Sequence, residues 1–220
     1  MEIKNLGDLV TYTWTSARTL IDLGGTVVAV QLVISTIGLA MVFYKVLQFT
    51  TVNNTRFVGL KKAIDQWGSG DKEKAEKTLG RSWLKLAKDV RFGLERVATT
   101  DREVLRDELA RRGMEFLRPY TKLLRTLELV YYLSPVLGLL GTVLGMIDAF
   151  RHLAAVAGTE KGSSALANGI WEALVCTAVG LVIAVIFTTL HAMLQTRLER
   201  VSEEVSDVLT RVLTIDVHRV

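Results

Sequence analysis

Three stretches without a formal charge constrain this chain more than any other feature. Residues 25–44 read GTVVAVQLVISTIGLAMVFY and residues 129–147 read LVYYLSPVLGLLGTVLGMI. Residues 173–196 read ALVCTAVGLVIAVIFTTLHAMLQT, where His191 is the ionisable group of note. Each run approaches or exceeds the roughly 20 apolar residues that a helix needs to cross a bilayer. A soluble domain accommodates one such helix, whereas three of them predict an all-α membrane protein with three transmembrane helices. Half of the residues are hydrophobic, a share that a large soluble domain also reaches, so the clustering decides the class.

The basic residues orient the spans. Of the 27 Lys and Arg, 18 fall between Gln48 and Leu127, two (Lys4 and Arg18) precede the first span, and two (Arg151 and Lys161) lie between the second and third. Positive charge accumulates on the cytoplasmic side of a membrane. The long loop and the C-terminus are therefore expected in the cytoplasm and the N-terminus on the outer side. The expected organisation is an N-terminal amphipathic segment at 1–23, transmembrane helix 1 at 24–47 and a cytoplasmic helical domain at 48–127. Transmembrane helix 2 at 128–151, an outer connection at 152–165, transmembrane helix 3 at 166–195 and a cytoplasmic C-terminal helix at 196–220 complete it. The first 20 residues mix charge into an amphipathic pattern and lack the compact apolar core of a cleavable signal peptide.

Within the loop, Thr100 followed by Glu103 reads as a capping box at a helix start, and Gly68, Ser69 and Gly70 read as a break. Pro119 and Pro135 are expected to bend one long helix, since each removes a backbone bond. Past the third span, Leu194, Leu198, Val201, Val205, Val208, Val212 and Ile215 recur at alternating spacings of four and three, a seam for packing along a neighbouring helix. The seam serves equally against the chain's own helices or against another subunit. The long cytoplasmic helical extensions thus belong to the fold class.

Two stripes of small side chains run along the second and third spans: Ser134, Gly138, Thr142, Gly145 and Ala149 on one, Gly169, Ala173, Thr177, Gly180 and Ala184 on the other. Such stripes let helix backbones approach closely in lipid. Gly138, Gly141, Gly145, Ala173, Gly180 and Ala184 are the expected packing positions, and Pro135 the expected kink. Counted from the outer connection, Thr142 and Thr177 lie at similar depth, about 15 to 18 Å in. They either line a polar path or return their hydroxyl bonds to their own helices. Glu172, about 10 Å deep on the same count, is costly in a span and must be solvated, paired or used. Its position on the helix turns it toward a different neighbour from Thr177. Cys176 is expected to be a small packing residue. Asp148, Arg151 and His152 read as interfacial charges.

Several functions are excluded. The loop holds 11 acids among its basic residues and little aromatic interleaving, which argues against nucleic acid. The sequence has no metal-ligand cluster, no nucleophile with a base at helical spacing and no phosphate-binding loop. No enzyme activity and no cofactor are expected, and the lipid bilayer is the surrounding partner.

SPVLGLLGTVLGMIDAF and GIWEALVCTAVGLVIAV, in this order and separated by a short connection, resemble the paired signatures of the ExbB/TolQ proteins, relatives of the MotA flagellar stator subunit. The likeness is closest from Leu133 to Ala192; the first span and the loop agree in layout. It implies a multi-pass protein of the bacterial inner membrane, N-terminus periplasmic and C-terminus cytoplasmic, assembling as a homopentamer around a central cavity. It further implies a proton-driven motor in which protons are the coupling ion. A single-span ExbD- or TolR-like partner with a membrane aspartate fills the cavity, and a TonB- or TolA-like protein is energised for outer-membrane import or envelope maintenance. By position, the family's cavity residues are Thr142, Thr177 and Glu172, the last in WEAL, and its proline before GLLGTV is Pro135. Leu144, Asp148 and Trp171 depart from the family pattern, and the four-span layout of the MotA branch is not matched. The competing class is a non-conducting membrane scaffold that assembles partner proteins.

Overall fold

The computed structural model describes residues 6–50, 52, 54–155 and 160–215, with side chains from Trp14 onward except at 54, 55, 160, 161 and 165. Residues 1–5, 156–159 and 216–220, which belong to the expected N-terminal segment, outer connection and C-terminal helix, lie outside the described residues. The described chain is helical without strands: α1 (Leu6–Thr50), α2 (Asn54–Gly68), α3 (Lys72–Gly80), α4 (Leu86–Arg96), α5 (Arg102–Ala155) and α6 (Glu160–Leu213). Among the described residues, α1, α5 and α6 are the three helices long and apolar enough to cross a membrane. The chain divides into two compact units, Met1–Val42 with Thr126–His191, and Phe43–Arg125 with Ala192–Val220.

The first unit packs the apolar parts of α1, α5 and α6 around Val28, Val130, Ala149, Ala173, Ile183 and Phe187, all buried. Gly38 makes one of these contacts possible. A Cβ there would stand 2.7 and 2.8 Å from two atoms of the Phe187 ring and 3.3 Å from Val130. Large apolar side chains such as Val33, Ile37, Leu139, Val143, Val182 and Val185 remain exposed. In water that surface would be an aggregation hazard; in hydrocarbon it costs nothing.

The backbone of α5 stays helical through both Pro119 and Pro135. A non-helical position falls in α1, at Gly25, whose φ of 64° and ψ of −157° interrupt the ladder. That φ lies in the left-handed region, where a side chain is strained and glycine is not.

In the second unit the Leu194–Ile215 seam is consumed by the chain itself, its seven members being at most 8% exposed. Glycines on the facing helices admit them closely: a Cβ on Gly93 would meet Val212 at 2.7 Å and Leu109 at 3.2 Å, and one on Gly113 would meet Leu209 at 2.8 Å. Lys61 adds an ion pair to both Glu204 and Asp207, each at 2.8 Å. Hydrogen bonds and charge from these acids raise the Lys61 pKa, while Lys61 and Arg211 lower that of Asp207. Lys45, near the end of α1, is fully buried. Its ammonium gives hydrogen bonds to Gln48 Oε1 at 2.9 Å, Pro119 O at 3.1 Å and Tyr120 O at 2.7 Å. Three donors meet three acceptors, which is what a buried ammonium requires.

The start of α5 corrects the sequence expectation by one residue. Asp101, not Thr100, is the cap: its Oδ1 accepts from the amides of Glu103 at 2.9 Å and Val104 at 3.4 Å. Thr100 is occupied, its amide closing the preceding turn on Arg96 O at 2.9 Å. A carboxylate also complements the positive helix N-terminus better than a hydroxyl. The Ser69–Gly70 turn separates α2 from α3, with Gly70 at φ 86°.

Farther along α5, Glu108 receives hydrogen bonds from Arg111 and Arg112, and Arg112 continues to Asp89 at 3.1 Å. Those bonds hold the Glu108 carboxyl at about 2, against an ordinary 4.5. A carboxylate whose folded pKa is depressed stabilises the fold fully above its unfolded pKa and loses that contribution as pH falls through the folded one. The stability difference between the parent and Glu108→Gln should therefore be constant above about pH 4.5 and close toward pH 2, read by helix content during acid titration. Because the cluster is exposed to solvent, salt should shrink the difference throughout.

Candidate functional site

Within the first unit, α5 and α6 approach through their small residues until backbone touches backbone. A Cβ on Gly138 would stand 3.1 Å from both Cys176 O and the Cα of Thr177. One on Gly141 would meet Cys176 Cβ at 2.7 Å, and one on Gly145 would meet Ala173 Cβ at 3.2 Å and Gly169 O at 3.3 Å. At Gly180, Ser134 O lies 2.6 Å from where its Cβ would be and Gly138 Cα 3.3 Å. Ala184 is half-buried one turn beyond Gly180, and Pro135 is half-buried within the unbroken α5.

The polar groups of the spans are committed to backbone carbonyls. Thr142 gives its proton to Leu139 O on its own helix at 2.6 Å, and Thr177 reaches across to Gly138 O at 3.2 Å. Gly138 thus pairs with Thr177 while Gly141 pairs with Cys176, so Thr142 and Thr177 lie within one helical turn of each other in depth. Both hydroxyls keep their acceptor lone pairs free of these bonds. Neither is buried; each is partly exposed on the unit.

Glu172 turns away from this pairing. Its Oε1 lies against Gly25 of α1, in the space a Cβ on that glycine would occupy, with Cδ 3.3 Å from the same point. Cys176, one turn further along α6, is buried beside it, and its thiol donates to Gly24 O at 3.0 Å. Cys176 is therefore a hydrogen-bonding residue as well as the packing residue expected from sequence. Asp148 and His152 are exposed near the end of α5, with His152 Nδ1 3.0 Å from Asp148 O and 3.3 Å from Oδ2.

Sequence reading missed Gln31. Its side chain is 1% exposed and donates from Nε2 to Ser134 O at 3.2 Å and Cys176 O at 3.4 Å, joining α1 to both other helices. The same nitrogen would be 2.8 Å from a Cβ on Gly180. The signal was present: Gln31 is the one amide side chain in the charge-free run 25–44, and an amide in hydrocarbon needs partners. Among the described residues no group of His, Cys, Asp and Glu is placed to hold a metal ion.

Sequence comparison adds the following. Residues 72–207 match the MotA/TolQ/ExbB proton channel family. Biopolymer transport protein exbB1 of Vibrio cholerae is 50% identical over 62 residues, covering 28% of this chain and 27% of that protein. An ExbB-like protein of Synechocystis is 43% identical over 95 residues, covering 43% of this chain and 32% of that one. The ExbB homolog of Methanothermobacter thermautotrophicus is 31% identical over 104 residues, covering 47% and 36%. The chain spans less than half the length of each of these curated relatives. With the family match running through most of α3–α6 and over more than half of its length, the chain belongs to the MotA/TolQ/ExbB proton channel family.

Proposed function

We propose that this protein is the channel-wall subunit of a proton-driven motor in a bacterial inner membrane, with its N-terminus periplasmic and its C-terminus cytoplasmic. Copies of it, five by family resemblance, surround a single-span ExbD- or TolR-like partner. Proton motive force becomes work on a TonB- or TolA-like protein, for outer-membrane import or envelope maintenance.

One observation carries the reading. Between Glu128 and Asp148 on α5, and between Glu172 and Glu199 on α6, the chain has hydroxyls and no carboxylate. A proton crossing at the depth of Thr142 and Thr177 needs a carrier such as a carboxyl, and neither stretch supplies one there. The carrier carboxyl therefore comes from the partner. Thr142 and Thr177 suit it in a specific way: with their protons given to Leu139 O and Gly138 O, they offer acceptors. An acceptor favours the protonated acid over the carboxylate, so the wall accommodates the partner's aspartate as the neutral form, the one least penalised in a low dielectric. The membrane field supplies about 2.3 kcal/mol per charge per 100 mV, comparable to a few weak helix contacts and sufficient to bias movement between them.

Thr142→Ala and Thr177→Val test the threonines' part. Each should abolish proton-driven activity of the assembled complex while leaving co-purification with the partner intact. Full activity in both variants would establish the non-conducting scaffold instead, because a scaffold needs the helices and not their hydroxyls.

A further inference from the structure

The span GIWEALVCTAVG carries two polar groups that the channel wall leaves unused, Glu172 and Cys176. They are four residues apart, so both lie on one face of α6, and both reach the same point of α1. That point is the interruption at Gly25. A break in a helix frees carbonyls on its N-terminal side and amides on its C-terminal side, because the i to i−4 pairing stops there. In hydrocarbon those groups have no water to turn to. Cys176 meets the first need, donating its thiol to Gly24 O at 3.0 Å. Glu172 sets a carboxylate oxygen against Gly25, where the next helical segment begins with its positive dipole end. The oxygen faces a Cα–H of Gly25, a contact that glycine alone permits. Gly24 is held close as well, with Val175 of α6 3.2 Å from where its Cβ would be.

We propose that Gly24, Gly25, Glu172 and Cys176 form a clasp between α1 and α6, in which Gly25 is the positioning residue for the Glu172 carboxylate. The left-handed glycine opens the helix, the thiol takes up a carbonyl beside the opening and the carboxylate rests against the glycine itself. Glu172 is thereby directed to α1 and away from the threonine face. The clasp stands independently of the motor proposed above.

Cys176 is the sole cysteine of the sequence, so its alkylation by a membrane-permeant maleimide in native membranes reports the clasp directly. Gly25→Ala should raise the alkylation rate by about tenfold, since it both strains the left-handed φ and displaces Glu172. Glu172→Ala alone should raise it by about threefold, and Glu172→Gln, which keeps the shape, by less. In the Glu172→Ala background Gly25→Ala should add distinctly less than it adds to the parent, because there is no carboxylate to displace. Unchanged alkylation in Gly25→Ala, or equal increments in both backgrounds, would overturn the proposal. Should Gly25→Ala fail to accumulate, Glu172→Ala against Glu172→Gln decides, equal rates with the parent overturning it. If alkylation shifts as expected while the parent complex shows no proton-driven activity, the clasp stands and the motor reading fails.

Discussion

Gly180→Leu is expected to prevent accumulation of a monodisperse folded protein, and Gly180→Ala to lower its melting temperature in detergent. The alanine Cβ would stand 2.6 Å from Ser134 O, 2.8 Å from Gln31 Nε2 and 3.3 Å from Gly138 Cα. Two of those three atoms are backbone and cannot swing aside, so α5 and α6 must separate. Separation stretches the Thr177 to Gly138 bond, and the Gln31 amide loses its place between Ser134 O and Cys176 O. Overpacking of a tight core costs about 1 to 3 kcal/mol for a small addition, and the lost buried hydrogen bonds come on top of it. Leucine multiplies the intrusion. Gly59 provides the control, since a Cβ there meets nothing within 4 Å and the residue sits inside α2. Gly59→Ala should be neutral or stabilising by up to about 1 kcal/mol, because alanine is the better helix former. Melting temperature and elution profile of the three variants, measured together, separate the effect of position from that of substitution type.

Much of this architecture was legible in the residues. Three charge-free runs specify three long apolar helices because hydrocarbon thickness sets a length that composition alone reveals. The small-residue stripes identify the facing sides of α5 and α6 because only small side chains permit contacts such as Gly138 on Cys176 O. Other features depend on partners far away in sequence. The two glycines at 24 and 25 permit a break but do not require one; Glu172 and Cys176, which lie against it, arrive about 150 residues later. The Leu194–Ile215 seam announces a neighbouring helix without naming it, and the chain's own helices turn out to fill it. At the start of α5, Thr100 and Asp101 are adjacent candidates, and the choice is made by a turn from α4 that has already used the Thr100 amide.

In a proton-driven motor of the kind proposed, the place of the moving charge decides which chain does what. If the carrier belongs to a partner, this chain alone is a wall without a relay. Thr142 and Thr177 on α5 and α6 offer hydroxyl acceptors, and a hydroxyl does not exchange its proton as an acid near neutral pH. The effect of adding the partner should therefore be close to all-or-none rather than graded. The decisive measurement is proton flux into liposomes under an imposed potential, for this chain alone, with the proposed ExbD- or TolR-like partner, and with that partner carrying asparagine in place of its membrane aspartate. The predicted result is flux only in the second case, at least about tenfold above the other two and rising with the potential; equal flux from the chain alone, or undiminished flux with the asparagine partner, would contradict it.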